Sequence, residues 1–343
     1  MHIASVGIDL GKMTFHLVAL DRNAKTLIRK KFTRKQLLAF TANLERCLIG
    51  MEACAGAHFM GKALRDQGHD VRIIPAQFVK PYRKTNKNDF IDAEAIAEAV
   101  TRENMRFVPI KTDDQLDLQA LHRIRERLVK QRTGLINQIR GFLLERGITF
   151  AKGAAKLRKE LPAILEDAEN NLTPRLRTMV EGLCTEWRQL DYDIQVADED
   201  IERIAVGDEN CKRLREIPGV GAIVSTAMVA AIGNGAAFQR GRDFSAWLGL
   251  VPKQHSTGDK TVLGRISKLG NSYLRRMFIH GARAWLLRAK CDPGTFGNWV
   301  RQLQARTARN KVVVAIANKL ARVAWAVLFT GTSYRYEALN AQS

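Results

Sequence analysis

Residues 4–32 read ASVGIDLGKMTFHLVALDRNAKTLIRKKF, and three strands in immediate succession are expected within them. ASVGIDL (4–10), TFHLVALD (14–21) and LIRKKF (27–32) are short runs rich in strand-forming residues, the first two separated by the tight GKM turn. Beyond them the signals alternate: a helix over 35–45, a strand over 47–51, a helix over 58–67 and a strand over 71–75. Three strands followed by helix and strand in turn specify a mixed α/β domain.

Four acids punctuate this region. Asp9 ends the apolar run 6–8 and Glu52 ends the run 47–51. Asp89 and Asp92, in KNDFIDAEAIAEAV (87–100), stand three apart, so on a helix both carboxylates face one way. Oxygen ligands from two strand ends and one helical turn suit Mg²⁺, a hard cation that prefers carboxylates and keeps waters for a phosphate. Such a site does two-metal phosphodiester chemistry, and the order and spacing resemble the ribonuclease H type of nuclease site. Each acid also has a local reading. Asp9 in GIDLGKMT could approach a nucleotide phosphate, as in sugar kinases and actin-like ATPases, although no convincing second glycine-rich loop accompanies it. Glu52 could favour a helix start, and Asp89 could cap a helix with Asp92 as a first-turn acid.

A chain of 343 residues accommodates two or three domains. Its 55 Lys and Arg against 35 Asp and Glu give a net charge of +20, which points to a polyanionic partner. The charge is uneven: +6 over residues 1–100, zero over 101–205 and +14 over 206–343, so the nucleic-acid surface is expected mostly in the last segment. Five cysteines (Cys47, Cys54, Cys184, Cys211 and Cys291) show no paired metal-ligand spacing and read as reduced thiols. With no secretory apolar region at the start and no uncharged stretch of membrane length, a cytoplasmic, nucleoid-associated protein with no membrane contact is expected.

The middle is helical. Leu176, Val180, Leu183, Trp187, Leu190, Ile194, Ala197, Ile201 and Ile204 alternate spacings of four and three, an unbroken coiled-coil seam. Leu121, Ile124, Leu128, Leu135 and Phe142 keep the same phase, with Gln131 and Gln138 placed to set register. A long antiparallel pair, a dimerising coiled coil or ordinary bundle helices all satisfy that pattern. Further on, Pro218, Gly219 and Gly221 lie between two apolar helical stretches. They fit either a helix-hairpin-helix whose amides hold a DNA phosphate or a simple interhelical turn. A turn-rich stretch containing HSTG (255–258) follows, then a helix bearing Arg275, Arg276 and Arg283, and a second basic helix over 306–322. Arg265, Lys268, Arg275 and Arg276 are phosphate-contact candidates; a solvated helix face is their plain alternative.

In this order, GIDLGK, GMEACAG, KNDFIDAEAIA, IPGVG, WLGLVPKQHSTGDK and GRISKLGNSYLRR resemble the DEDD transposases of bacterial insertion sequences, the insertion sequence 110 family and its 1111 subgroup. The resemblance covers nearly the whole chain. It implies a RuvC-like, ribonuclease H-like domain (1–105), a coiled-coil helical domain (106–210) and a mainly helical C-terminal transposase domain (211–343), the first and last forming a composite site. It implies Mg²⁺ on Asp9, Glu52, Asp89 and Asp92, and Ser256 as the nucleophile that forms a phosphoserine link to DNA, with Thr257 its neighbour in register. It implies donor and target DNA, a structured guide (bridge) RNA and a dimer or tetramer as partners. A Holliday-junction resolvase using water, or a DNA-bridging protein without catalysis, are the alternative functions.

Overall fold

The computed structural model describes residues 2–83, 88–151, 153–258, 260–288 and 294–334, and the chain divides into two compact units, Met1–Thr112 and Asp113–Ser343. Cys291 lies outside the described residues; Cys47, Cys54, Cys184 and Cys211 are free thiols.

The first unit runs β1 (Ser5–Leu10), β2 (Phe15–Leu20), β3 (Thr26–Phe32), α1 (Arg34–Ala42), β4 (Leu48–Glu52), α2 (Ala57–Asp66), β5 (Asp70–Ile74), α3 (Ala76–Val79), a 3₁₀ turn (Lys80–Tyr82) and α4 (Asp89–Ala99). The sheet order is β3-β2-β1-β4-β5, antiparallel among β1 to β3 and parallel from β1 through β4 to β5. Alternation along each strand sorts the side chains. Val6, Ile8, Leu17, Ile49, Met51 and Ile73 form the core on one face with α1 and α2. Val18 and Leu20 pack with Ala93 and Ala97 of α4 on the other. The same parity puts Gly7, Asp9, His16, Gly50 and Glu52 on the α4 face.

Two glycines let α4 lie close to the sheet. A Cβ on Gly7 would stand 2.0 Å from the Ala93 carbonyl oxygen, and one on Gly50, its neighbour in register, 2.8 Å from Val100 Cβ. Only the missing side chains permit that approach. On the helix side, Ala93, Ala95, Ala97 and Ala99 are all buried. The GID and AEAIAEA stretches are thus two halves of one contact, and the contact carries the first turn of α4 to the strand ends.

The second unit contains α5 (Asp113–Leu144), α6 (Ala154–Glu166), α7 (Pro174–Gly207), α8 (Glu209–Arg215), α9 (Ala222–Ile232), α10 (Gly241–Trp247), β6 (Pro252–Thr257), β7 (Lys260–Ile266), α11 (Ser272–Arg288), α12 (Thr295–Arg306) and α13 (Arg309–Thr330). The helical middle and the final segment share this unit, since α9 packs against both α5 and α7. His122 of α5 is buried between the Tyr273 hydroxyl of α11 (3.0 Å) and the Thr226 hydroxyl of α9 (3.0 Å), a polar tie across three helices.

The α7 seam packs within the chain. Val180, Trp187, Leu190 and Ile194 share a core with Leu128, Leu135, Ile136, Ile139 and Leu143 of α5 and with Leu157 and Leu161 of α6. Among the described residues the seam from Leu176 to Ile194 is therefore covered by α5 and α6, as the antiparallel-pair reading requires, while Ile204 at its end is exposed. On α5 the buried stripe departs from the expected phase: Ile124, Gln131, Gln138 and Phe142 are exposed. Arg125 and Arg132 sit in the stripe instead and pair with Asp198 and Asp191. The two pairs are one heptad apart on both helices, so they fix an antiparallel register that a slip would break. Arg158 of α6 adds a second cation to Asp191. Leu190→Asp places an unpaired charge in this core and is expected to destabilise the helical unit by about 3–5 kcal/mol. Denaturant unfolding followed by helical circular dichroism checks it, and a loss below about 1 kcal/mol would contradict the packing.

The expected basic helix over 306–322 is two elements, α12 ending at Arg306 and α13 beginning at Arg309. Although α13 is long and apolar enough to cross a membrane, Val312, Val313, Ile316, Ala317, Leu320, Ala321 and Ala324 are core residues of the second unit.

Candidate active site

Asp9 is the last inward-facing residue of β1, and Glu52 follows Met51 at the end of the adjacent parallel strand. Asn88 caps α4, its side chain accepting from the Phe90 amide at 2.9 Å. The cap position is thereby taken, and Asp89 and Asp92 in the first turn are left for other contacts. Asp92 is 6% exposed, Glu52 21% and Asp89 57%. The other three act electrostatically on Asp9. Burial first, then the charges of Asp89 and Asp92, push the Asp9 carboxyl up to about 6; His16 pulls it down and Glu52 adds a small further rise.

Two side chains that sequence reasoning missed, an imidazole and a guanidinium, divide the quartet. His16, directly opposite Asp9 in the β1–β2 pair, has its side chain 11% exposed and its Nδ1 3.6 Å from Asp89 Oδ2. Ligand atoms of Asp9, His16 and Asp89 all lie within 4.8 Å of one another. Arg83, just after the 3₁₀ turn, reaches Asp92 Oδ1 through Nε at 2.8 Å and Glu52 Oε2 through Nη2 at 3.4 Å. The Asp92 contact is Coulombic rather than a formed hydrogen bond, because neither atom meets the angular requirement. One signal for His16 was available in the sequence. A four-residue connection over 11–14, closed by the Gly11 amide on the Thr14 carbonyl, sets a register that faces His16 to Asp9. Nothing comparable points to Arg83, which is 31 residues from Glu52.

The folded-state pKa of Asp9 lies above the ordinary aspartate value of 3.8, so its ionisation opposes folding in full above about pH 6, and the opposition falls away as pH drops from about 6 toward 3.8. A divalent cation relieves the same repulsion and competes with the proton. Affinity of the protein for Mg²⁺ is expected to be roughly tenfold weaker at pH 5 than at pH 8. Isothermal titration at the two pH values measures it; equal affinities would mean that Asp9 is not a ligand.

Ser256 belongs to the second unit, on an exposed two-stranded ribbon rather than in an irregular turn. Its Oγ accepts from Gln254 Nε2 at 2.8 Å and lies 3.2 Å from the hydroxyl of its cross-strand partner Thr261. Strand alternation sends Thr257 and His255 to the opposite face. Ser256, the motif's match, and its neighbour Thr257 are therefore distinguished by side. Arg265 and Lys268 are exposed, the latter with φ of +56°. Arg275 donates through Nη1 to the Leu248 (2.9 Å) and Leu269 (2.8 Å) carbonyls, and Arg276 pairs with Glu126. Both guanidinium groups are thus engaged with their own chain. Gly219, φ +92°, packs against Gly281 of α11, where a Cβ would stand 2.8 Å from the Gly281 carbonyl oxygen. Its lack of a side chain serves that contact. Gly221 meets nothing on its open side and caps α9.

Two family models match the chain: one described as a transposase, over residues 6–147, and one described as the transposase IS116/IS110/IS902 family, over 211–295. The first spans all four acids and the second spans Ser256. The transposase for insertion sequence element IS1111A of Coxiella burnetii is 43% identical over 333 residues, 97% of this chain and 92% of that protein. The transposase for insertion sequence element IS1328 of Yersinia enterocolitica is 41% identical over 97% of this chain and 99% of its own length. A probable family 20 transposase of Pseudomonas aeruginosa is 40% identical over 98% and 99%. With relatives this similar over nearly their full length, the chain belongs to the IS110 family of insertion-sequence transposases, whose activity is the cutting and joining of DNA.

Proposed function

We propose that the chain is a metal-dependent recombinase that moves its own insertion sequence. In this reading the first unit is a ribonuclease H-like, RuvC-like nuclease domain, Ser256 is the nucleophile, and a structured bridge RNA selects donor and target DNA. The observation that carries the reading is the convergence of Asp9, Glu52, Asp89 and Asp92 from two strand ends and one helix turn. The donor set fits a divalent cation. Burial, then the neighbouring carboxylates, push Asp9 up to about 6, and Asp92 Oδ1 is buried with no hydrogen-bond partner among the described residues. A divalent cation held by the four carboxylates would neutralise charge developing on the attacking and leaving oxygens.

The remaining chemistry falls to the chain. Ser256 Oγ bonds to the phosphorus as the bond from phosphorus to the sugar oxygen breaks; the Oγ proton passes to a base and the released sugar oxygen takes up a proton. A sugar hydroxyl of another strand then attacks the phosphoserine and regenerates Ser256. Gln254, donating to Oγ, fixes the rotamer from which the attack starts. Arg83 offsets the charge of Glu52 and Asp92. A resolvase using water would need the same acids, but it gives no role to a serine held between Gln254 and Thr261.

Phosphate contacts are assigned to Arg265, Lys268 and the Gly221 amide, with Arg275 and Arg276 contributing where nucleic acid displaces their internal partners. Arg265→Ala with Lys268→Ala is expected to flatten the plot of log affinity against log salt by about 2, since each lost phosphate contact removes about 0.9. Anisotropy titrations at several salt concentrations read that slope; an unchanged slope places the contacts elsewhere. Joining two duplexes requires at least two protomers, and because the α7 seam is used inside the chain, the dimer or tetramer forms through other surfaces. The protein acts in the cytoplasm, at the nucleoid.

Reconstitution tests the whole reading. The protein, Mg²⁺, RNA transcribed from the non-coding end of the element, and labelled donor and target duplexes are expected to give joined strands only when RNA is present. Nicked products without joining favour the resolvase, and no cleavage at all favours a bridging protein.

A further inference from the structure

We infer that His16 is a metal ligand and that it makes the Asp9–Asp89 half of the acidic site select Mn²⁺ over Mg²⁺. This rests on the metal-site reading above and adds to it which ion binds and which residue decides.

The two halves of the site differ. Glu52 and Asp92 already face a cation, the Arg83 guanidinium. Asp9 and Asp89 face no such fixed charge among the described residues; what they face is an imidazole. Its Nδ1 is buried, has no hydrogen-bond partner among the described residues and lies 3.6 Å from Asp89 Oδ2. A buried ring nitrogen left without a partner is destabilising unless something else uses its lone pair. With ligand atoms of Asp9, His16 and Asp89 within 4.8 Å of one another, an ion with bonds of about 2.1 Å closes the triangle by small side-chain movements.

The ring is also held. Phe90 meets it edge to face at 4.7 Å between centroids, and the Arg29 guanidinium lies 4.6 Å from the centre of the other side of the contact, the Phe90 ring. His16 is fixed from below by β2, where its backbone pairs with Asp9. Such positioning is what a ligand needs before the ion arrives. The residue next to Asp89 in the helix, Phe90, therefore aligns the third ligand.

Donor chemistry then identifies the ion. Mg²⁺ binds through oxygen and gives up its waters reluctantly, so a nitrogen in place of an oxygen weakens its site. Imidazole suits the first-row transition ions, and two carboxylates keep the set hard enough for Mn²⁺ rather than the softer ions that prefer thiolate.

The test uses the full chain without nucleic acid. Mn²⁺ binding is followed by loss of the free-ion electron paramagnetic resonance signal, Mg²⁺ by its displacement of Mn²⁺. Wild-type protein carrying Mn²⁺ is expected to show ¹⁴N modulation in spin-echo spectra, and His16→Gln to lack it while retaining its thermal transition. His16→Ala is expected to lower the ratio of Mn²⁺ to Mg²⁺ affinity at least about tenfold. His16→Asp, which restores a third ligand as oxygen, is expected to recover binding with the ratio moved toward Mg²⁺. Absence of ¹⁴N modulation in the wild type, its persistence in His16→Gln, or equal loss of both ions in His16→Ala overturns the inference. Asp9→Asn separates the two levels: if it binds Mn²⁺ as the wild type does, the acidic site itself is misassigned, whereas its loss of Mn²⁺ with no effect of His16 substitution rejects His16 alone.

Discussion

Ser256→Ala is expected to bind RNA and both DNA duplexes as the wild type does, yet to give no covalent protein–DNA adduct and no exchanged strands. Removing a nucleophile from a covalent mechanism costs a factor on the order of 10⁴ or more, since the groups that assist it have nothing left to activate. A phosphoserine link keeps the phosphodiester energy, so resealing requires no high-energy cofactor. Thr257→Ala is the control. Thr257 occupies the opposite face of the ribbon and pairs in register with Lys260, while Ser256 pairs with Thr261. It should retain adduct formation. Denaturing electrophoresis of labelled DNA followed by peptide mapping reads both. An adduct from Ser256→Ala, or one mapped to Thr257, would show that another residue is the nucleophile.

Asp9→Asn is expected to lower strand cleavage by about 10³-fold or more, because it withdraws charge from the proposed metal site, where the transition state would need it. Glu52→Gln, Asp89→Asn and Asp92→Asn should be similarly damaging. Asp9→Asn has a second, opposite readout. Ionisation of Asp9 opposes folding above about pH 6, so the metal-free variant should melt higher than the metal-free wild type at pH 8, with the difference vanishing below pH 4. A catalytically dead protein that is more stable than its parent separates loss of function from loss of fold. Full activity in Mg²⁺, or a lower melting temperature at pH 8, would count against the assignment.

Much of the first unit was legible because its signals are local. Period-two alternation and tight turns each act within a few residues, and the resulting strands lie within one or two residues of where the sequence puts them. The seam of α7 was legible for the same reason. Its partner was not, because a heptad states that an apolar stripe must be covered and does not state by what. On α5 Leu128 and Leu135 of the expected phase are buried, but Ile124, Gln131, Gln138 and Phe142 lie exposed, and Arg125 and Arg132 enter the stripe. Arginine reads as surface until Asp198 and Asp191, some sixty to seventy residues away, are known to face it.

The site divides in the same way. From sequence alone, Asp9, Glu52, Asp89 and Asp92 followed as acids at element ends, each with a local alternative, and their joint order and spacing marked them as a set. Only the tertiary structure decided that Asn88 rather than Asp89 caps α4, that Gly7 and Gly50 admit the helix closely enough to bring its acids to the strand ends, and that Ser256 and Thr257 face opposite ways. It alone brought in Arg83, tied Arg275 to two carbonyls and set Gly219 against Gly281. The reason is that residue type and spacing determine which groups must leave water together, while the identity of the group that meets them depends on chain segments whose separation no local period encodes.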